Sequence, residues 1–168
     1  MLYREFVLTH IKNTFNPVSH LKALIELAEI KNEGIELKII ALEGGSTEVG
    51  LGIVRLIETS PVPITGIVVQ KACSMAAIIL QACHTRIMHK GAYLHYHYGG
   101  WPVSLLIYFD HELMKENMKA GIALQNALFA PLKNRTNMSD EEIHTLFTRE
   151  QSVYAEEALS LGLIDKII

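Results

Sequence analysis

The chain has 168 residues, 49% of them hydrophobic and 20% charged, with 15 Lys and Arg against 18 Asp and Glu for a formal net charge of −3. That balance suits a chain burying one good core. It excludes a disordered protein, which combines low hydrophobicity with high net charge, and argues against a nucleic-acid binder, because no basic surplus exists to displace phosphate counterions. Cys73 and Cys83 are too few for a disulfide framework, and no apolar run has the length of a signal peptide or a membrane span. The expectation is one cytoplasmic domain over residues 1–168 with no membrane association.

Asn16-Pro17 opens a helix, with a side-chain oxygen to cap orphan amides and a proline at the first helical position. Val18, Leu21, Leu24, Ile25 and Ala28 follow at helical spacing, and Gly34 stands beyond the end. Residues 35–42 form a β-branched run that stops at Gly44-Gly45 and reads as a strand. A second helix is predicted over 47–58, broken by Ser60-Pro61-Val62-Pro63. Residues 64–69 read as another buried strand, followed by a helix over 74–83. Hydrophobic strands without polar alternation, separated by helices, suit a parallel sheet covered on both faces, so the fold class is α/β. Residues 85–88 and 92–98 read as two more short strands around Lys90-Gly91. A long helical stretch over 105–132 comes next, then a capping box at Ser139-Asp140-Glu141-Glu142 and a short helix from Ala155 that Gly162 ends.

Four places could carry chemistry. Gly44-Gly45, straight after a strand, is either a tight turn or a place where backbone amides approach a ligand. Ser74, at the mouth of an apolar helix among Ala72, Cys73, Ala76 and Ala77, is either a helix cap or a nucleophile with the Met75 amide beside it. His95 and His97 share a strand face; they are packed histidines, a metal pair without matching ligands nearby, or the base that a serine hydroxyl needs. Glu150 alone is a surface charge, and it gains meaning only where the fold brings it to a histidine.

These segments resemble a known family. Gly44-Gly45-Ser46, Ala72-Cys73-Ser74-Met75-Ala76, His97-Tyr98-Gly99-Gly100 and Tyr154-Ala155-Glu156-Glu157-Ala158 with Gly162-Leu163-Ile164-Asp165 resemble, in order and spacing, motifs of the proteolytic subunit of the Clp protease. The resemblance covers residues 16–168. It implies the fold of that family and of the crotonases, repeated ββα units with a largely parallel sheet, and a protruding handle helix in the region 104–148. It also implies a serine endopeptidase acting on peptide or unfolded polypeptide in a homo-oligomeric ring, without cofactor or metal. Residue by residue, Ser74 matches the nucleophile, His97 the general base, and Gly45 and Met75 the oxyanion-hole amides. Glu150 stands where the family has Asp.

The chain also departs from the pattern. Glu43 precedes the glycine pair in place of Pro, Gln70-Lys71 replaces Gly-Gln, and Ala76 replaces Gly. The stretch before Gly44 is shorter than in the family, which removes the segment expected to engage an ATP-dependent unfoldase, so such a partner is not expected. Two alternatives therefore stand beside the peptidase: a catalytically weak ring component or scaffold, and an acyl-CoA enzyme of the crotonase type.

Overall fold

The computed structural model describes residues 2–12, 16–99 and 109–168. Its centre is a sheet in the order β1-β2-β3-β4-β7, formed by β1 (Tyr3–Leu8), β2 (Gly34–Leu42), β3 (Ile64–Cys73), β4 (Thr85–Met88) and β7 (Lys166–Ile167). Every pairing along this path is parallel. The connecting helices are α1 (Pro17–Lys31), α2 (Thr47–Glu58) and α3 (Met75–Ala82), followed later by α4 (His111–Arg135), α5 (Asp140–Arg149) and α6 (Ala155–Ser160). The fold is thus mixed α/β with a mostly parallel sheet, as the unalternating apolar strands require.

β3 organises the site. Its first half pairs with β4, through Thr65–Val68, and its last three residues pair with β5 (Tyr93–His95), Lys71 opposite Tyr93 and Cys73 opposite His95. β5 pairs on its other side, antiparallel, with β6 (Ser152–Tyr154). β3 runs four residues further than the apolar pattern 64–69 suggests, because the pairing with β2 resumes past a register shift, Lys71 opposite Ala41 and Ala72 opposite Leu42. It therefore ends directly at Ser74.

α3 is buried along all eight residues, which explains its lack of a polar face. Ile79 and Leu80 are fully buried, each contributing roughly 1.5–3 kcal/mol by removal from water. Its one polar member, Gln81, is satisfied: its amide donates to Tyr96 Oη and to the Leu163 carbonyl, both at 3.1 Å. Its carbonyl accepts from Arg86 Nη1 at 2.9 Å. Arg86, only 3% exposed, clasps Asp165 through Nε at 3.1 Å and Nη2 at 2.6 Å, and its backbone N–H reaches the same carboxylate at 2.7 Å. A buried guanidinium is tolerated only with such a bidentate partner. This network ties the C-terminal segment to α3 and β4.

Several local expectations change. β1 is an edge strand that no local pattern marks, with charged residues such as Arg4 and Glu5 interrupting its apolar residues, held by cross-strand pairs such as Lys38 with Glu5. Asn32, not Gly34, takes the left-handed position after α1, at φ 54°, and Gly34 begins β2 against the Tyr3 ring. β5 is shorter than 92–98, so His97 lies just past its end. α4 runs from His111 to Arg135, continuing through Pro131; residues 105–108 of the expected helix, and Gly100, fall outside the described residues. Of α4 only Phe129, Pro131 and Leu132 are buried, while Leu113, Met118 and Ile122 are exposed. The capping box at Ser139 is present, its hydroxyl accepting from the Glu142 N–H and the Glu142 carboxylate accepting from the Ser139 N–H at 2.7 Å.

Candidate active site

Ser74 is the single residue between β3 and α3, and it turns the chain with φ 52° and ψ −125°. A positive φ outside glycine is uncommon and costs of order 1–3 kcal/mol, so the surroundings must impose it. They do so through the backbone. The Ser74 N–H donates to the His95 carbonyl at 2.7 Å, and its carbonyl accepts from Ala77 at 3.0 Å and Ile78 at 3.3 Å. The side chain makes no capping hydrogen bond, which overturns the helix-cap reading. A sharp strand-to-helix turn of this kind presents a hydroxyl instead of spending it on the helix. The Met75 amide lies in the first turn of α3, where no carbonyl stands one turn behind it, and the positive end of the helix is centred there.

Gly44-Gly45 packs into the space beside Ser74. Gly44 has φ 114°, and a methyl on it would lie 2.7 Å from Ser74 Cβ and 3.1 Å from the Cys73 carbonyl oxygen. Gly45 has no room either: a methyl there would collide with the Ile11 backbone, which bridges Gly45 in parallel and accepts from the Ser46 N–H at 2.7 Å. Close approach, rather than a turn, explains both glycines. Gly44, paired in the sequence with Gly45, is the one that faces the hydroxyl.

His97 and Ser74 line one cavity of about 410 Å³, with Met75, Tyr98, Leu124 and Phe147 among its walls. The His97 Nδ1 is hydrogen-bonded to the Tyr98 backbone carbonyl at 3.1 Å. A carbonyl only accepts, so Nδ1 is the donor in this bond, and in a neutral imidazole Nε2 is then the nitrogen that carries the lone pair. Among the described residues no hydrogen bond joins Ser74 Oγ to His97, so the two share a cavity without being coupled. The His95 and His97 rings are 5.9 Å apart, and no group of three or more metal-ligating side chains converges among the described residues.

Glu150 caps α5 in the left-handed conformation, φ 48°, and is exposed. The β5–β6 ladder pairs Leu94 with Val153 and His95 with Ser152. Two further steps along that register would set His97 opposite Glu150, but the ladder stops at His95 and no hydrogen bond or ion pair joins the two among the described residues.

Two departures from the family pattern meet each other. The Glu43 carboxylate is paired with Lys71 between the ends of β2 and β3, and the bond and charge of Lys71 hold the Glu43 carboxyl below its ordinary range. Burial raises the neighbouring Cys73 thiol, and it pushes the Cys83 thiol up to about 12, so neither is poised as a thiolate. Ala76 is fully buried in α3, its methyl accommodated in the core.

Sequence reasoning missed an aromatic cluster behind His97. Tyr98 Oη and His144 Nδ1 share a hydrogen bond of 2.6 Å. The Tyr98 ring lies 5.3 Å from Phe147, which lies 5.0 Å from Phe129 and 5.4 Å from Tyr96. These residues come from α4, α5 and the segment after β5, and no local pattern connects them.

Among the described residues no helix is long and apolar enough to cross a membrane. The fold is similar to the crystal structure of the ClpP protease catalytic domain from Plasmodium falciparum, with a TM-score of 0.77 at 23% identity over 98% of this chain and 84% of that one. A family model described as Clp protease matches residues 3–168. The chain belongs to the Clp protease family.

Proposed function

We propose that the chain is a serine endopeptidase that cleaves peptide bonds through an acyl-enzyme and works as a homo-oligomeric ring. The observation that carries this reading is Ser74 itself: a hydroxyl held in a strained turn at a helix mouth, unused as a cap, in one cavity with an imidazole whose Nδ1 is engaged by a backbone carbonyl. Ser74 Oγ attacks the substrate carbonyl while its proton passes to His97 Nε2. The amides of Gly45 and Met75 take the developing oxyanion, a contribution worth about 10²–10³ in rate per donor in enzymes of this type. His97 then protonates the leaving amine, and water, deprotonated by the same imidazole, releases the acyl group. Glu150, at the start of the segment that pairs with β5, is the carboxylate assigned to the imidazolium.

The exposed Leu113, Met118 and Ile122 on α4 support assembly, since a long helix with so little of its apolar surface buried marks an interface. A cytoplasmic setting accords with two free cysteines. The substrate is peptide or unfolded polypeptide, and neither nucleic acid nor an unfoldase is assigned as partner. A fluorophosphonate probe tests the proposal. Labelling at Ser74 in the wild type, absent from Ser74→Ala and slowed in His97→Ala, is the expected result. An assembled wild type that resists the probe is a scaffold instead.

A further inference from the structure

We infer that Tyr98 and His144 are positioning residues that hold the catalytic base: the Tyr98 backbone carbonyl fixes the His97 tautomer, and the Tyr98–His144 bond fixes that carbonyl. The inference rests on the serine-peptidase reading above. Its physical basis is the short strand β5. Among the described residues no ladder holds the chain beyond His95; buried Tyr96, bonded to Gln81, anchors it before His97, and the side after His97 needs an anchor of its own. Tyr98, the next residue after His97, supplies two. Its Oη is bonded to His144 Nδ1 at 2.6 Å, and its ring packs 5.3 Å from Phe147, both on α5. Phe147 is 4% exposed, so the ring contact is anchored in the core.

The bond from His97 Nδ1 to the Tyr98 carbonyl, 3.1 Å long, occupies the ring position that a triad carboxylate holds in a serine peptidase. A neutral carbonyl can fix orientation and tautomer but cannot balance the charge of the imidazolium. The two tasks are therefore divided. Tyr98 sets the imidazole in the resting protein, and the carboxylate acts only when charge appears. His144 lies on the same helix whose C-cap is Glu150, so one bond also ties the base-bearing segment to the carboxylate-bearing one.

The experiment uses the full chain with Tyr98→Phe, which keeps the ring and deletes the hydroxyl, and with His144→Ala and His144→Gln. Peptide-cleavage kinetics should show kcat reduced about fivefold in Tyr98→Phe and His144→Ala with KM nearly unchanged, the order expected for one lost hydrogen bond. The double variant should fall no further than either single, because both remove the same bond. His144→Gln, which can still bond the phenol, should recover most of the loss. Ring ¹⁵N spectra should show His97 as the Nδ1–H tautomer in wild type and a tautomer mixture in Tyr98→Phe. Unchanged kcat and an unchanged His97 spectrum in Tyr98→Phe overturn the inference while leaving Ser74 labelling, and hence the peptidase reading, intact. Should wild type fail to label, the peptidase reading falls and the His97 spectrum alone decides whether Tyr98 sets the tautomer.

Discussion

Gly44 lies against Ser74 so closely that a methyl on the glycine would stand 3.3 Å from Ser74 Oγ and 2.7 Å from Cβ. Gly44→Ala therefore meets both a clash and a disfavoured φ of 114°. The expected outcome is a loss of stability of about 1–3 kcal/mol in urea unfolding and a fall in peptide cleavage of about a hundredfold, since displacement of a nucleophile by a fraction of an ångström is expensive. A variant that cleaves and labels like wild type would contradict the placement of Gly44.

Glu150→Gln removes the charge assigned to the imidazolium while keeping the shape of the side chain. Cleavage should fall about ten- to a hundredfold, less than where the carboxylate alone fixes the tautomer, because the Tyr98 carbonyl already does so. The measurement is kcat for a fluorogenic peptide. An unchanged kcat would remove Glu150 from the site and leave a Ser-His pair.

Asp165 carries a dependence on acid. Burial raises its carboxyl, but the bonds from the Arg86 side chain and backbone, together with the charge of Arg86, outweigh burial and hold it below the ordinary range near 3.8. The folded group thus binds its proton less readily than the unfolded one. The stability it contributes is complete above that ordinary value and is lost as pH falls through the lower folded value. Asp165→Asn should abolish this part of the acid transition. Because it also leaves Arg86 buried without a counter-charge, it should cost about 2–3 kcal/mol at neutral pH, below the full figure for a buried pair because Asp165 is 36% exposed. Thermal melts of both proteins across pH 2–7, about the range in which carboxylates titrate, provide the check.

Met118→Lys with Ile122→Lys places charge on the exposed side of α4, where neither residue packs on the core of its own chain. The expected result is a folded protein, unchanged in circular dichroism, that elutes smaller than wild type in size exclusion. Each apolar side chain withdrawn from an interface is worth roughly 1.5–3 kcal/mol. Unchanged elution would exclude this face from assembly.

Elements with strong local signals were legible in the sequence. The start of α2, the Asn16 cap and the Ser139 capping box follow from side chains that bond to their own neighbourhood. Ser74 could be singled out because a small-residue helix mouth is a local feature, whereas His97 and His95 both stand out and only the family resemblance chooses His97. What could not be read is cooperative across the chain. β1 and the last residues of β3 are strands by virtue of their partners. The positive φ of Ser74 is imposed by the His95 carbonyl, and the Tyr98–His144 bond spans two segments with no shared pattern.

β6, far along the chain from Ser74, pairs with β5, and β5 in turn supplies the carbonyl that holds the Ser74 turn. A chain still emerging from the ribosome has the nucleophile long before it has the strand that braces it. Under the peptidase reading, the hydrolytic centre is not fully braced until β6 has joined the sheet, so its maturation is tied to the late closure of a pairing between distant parts of the chain.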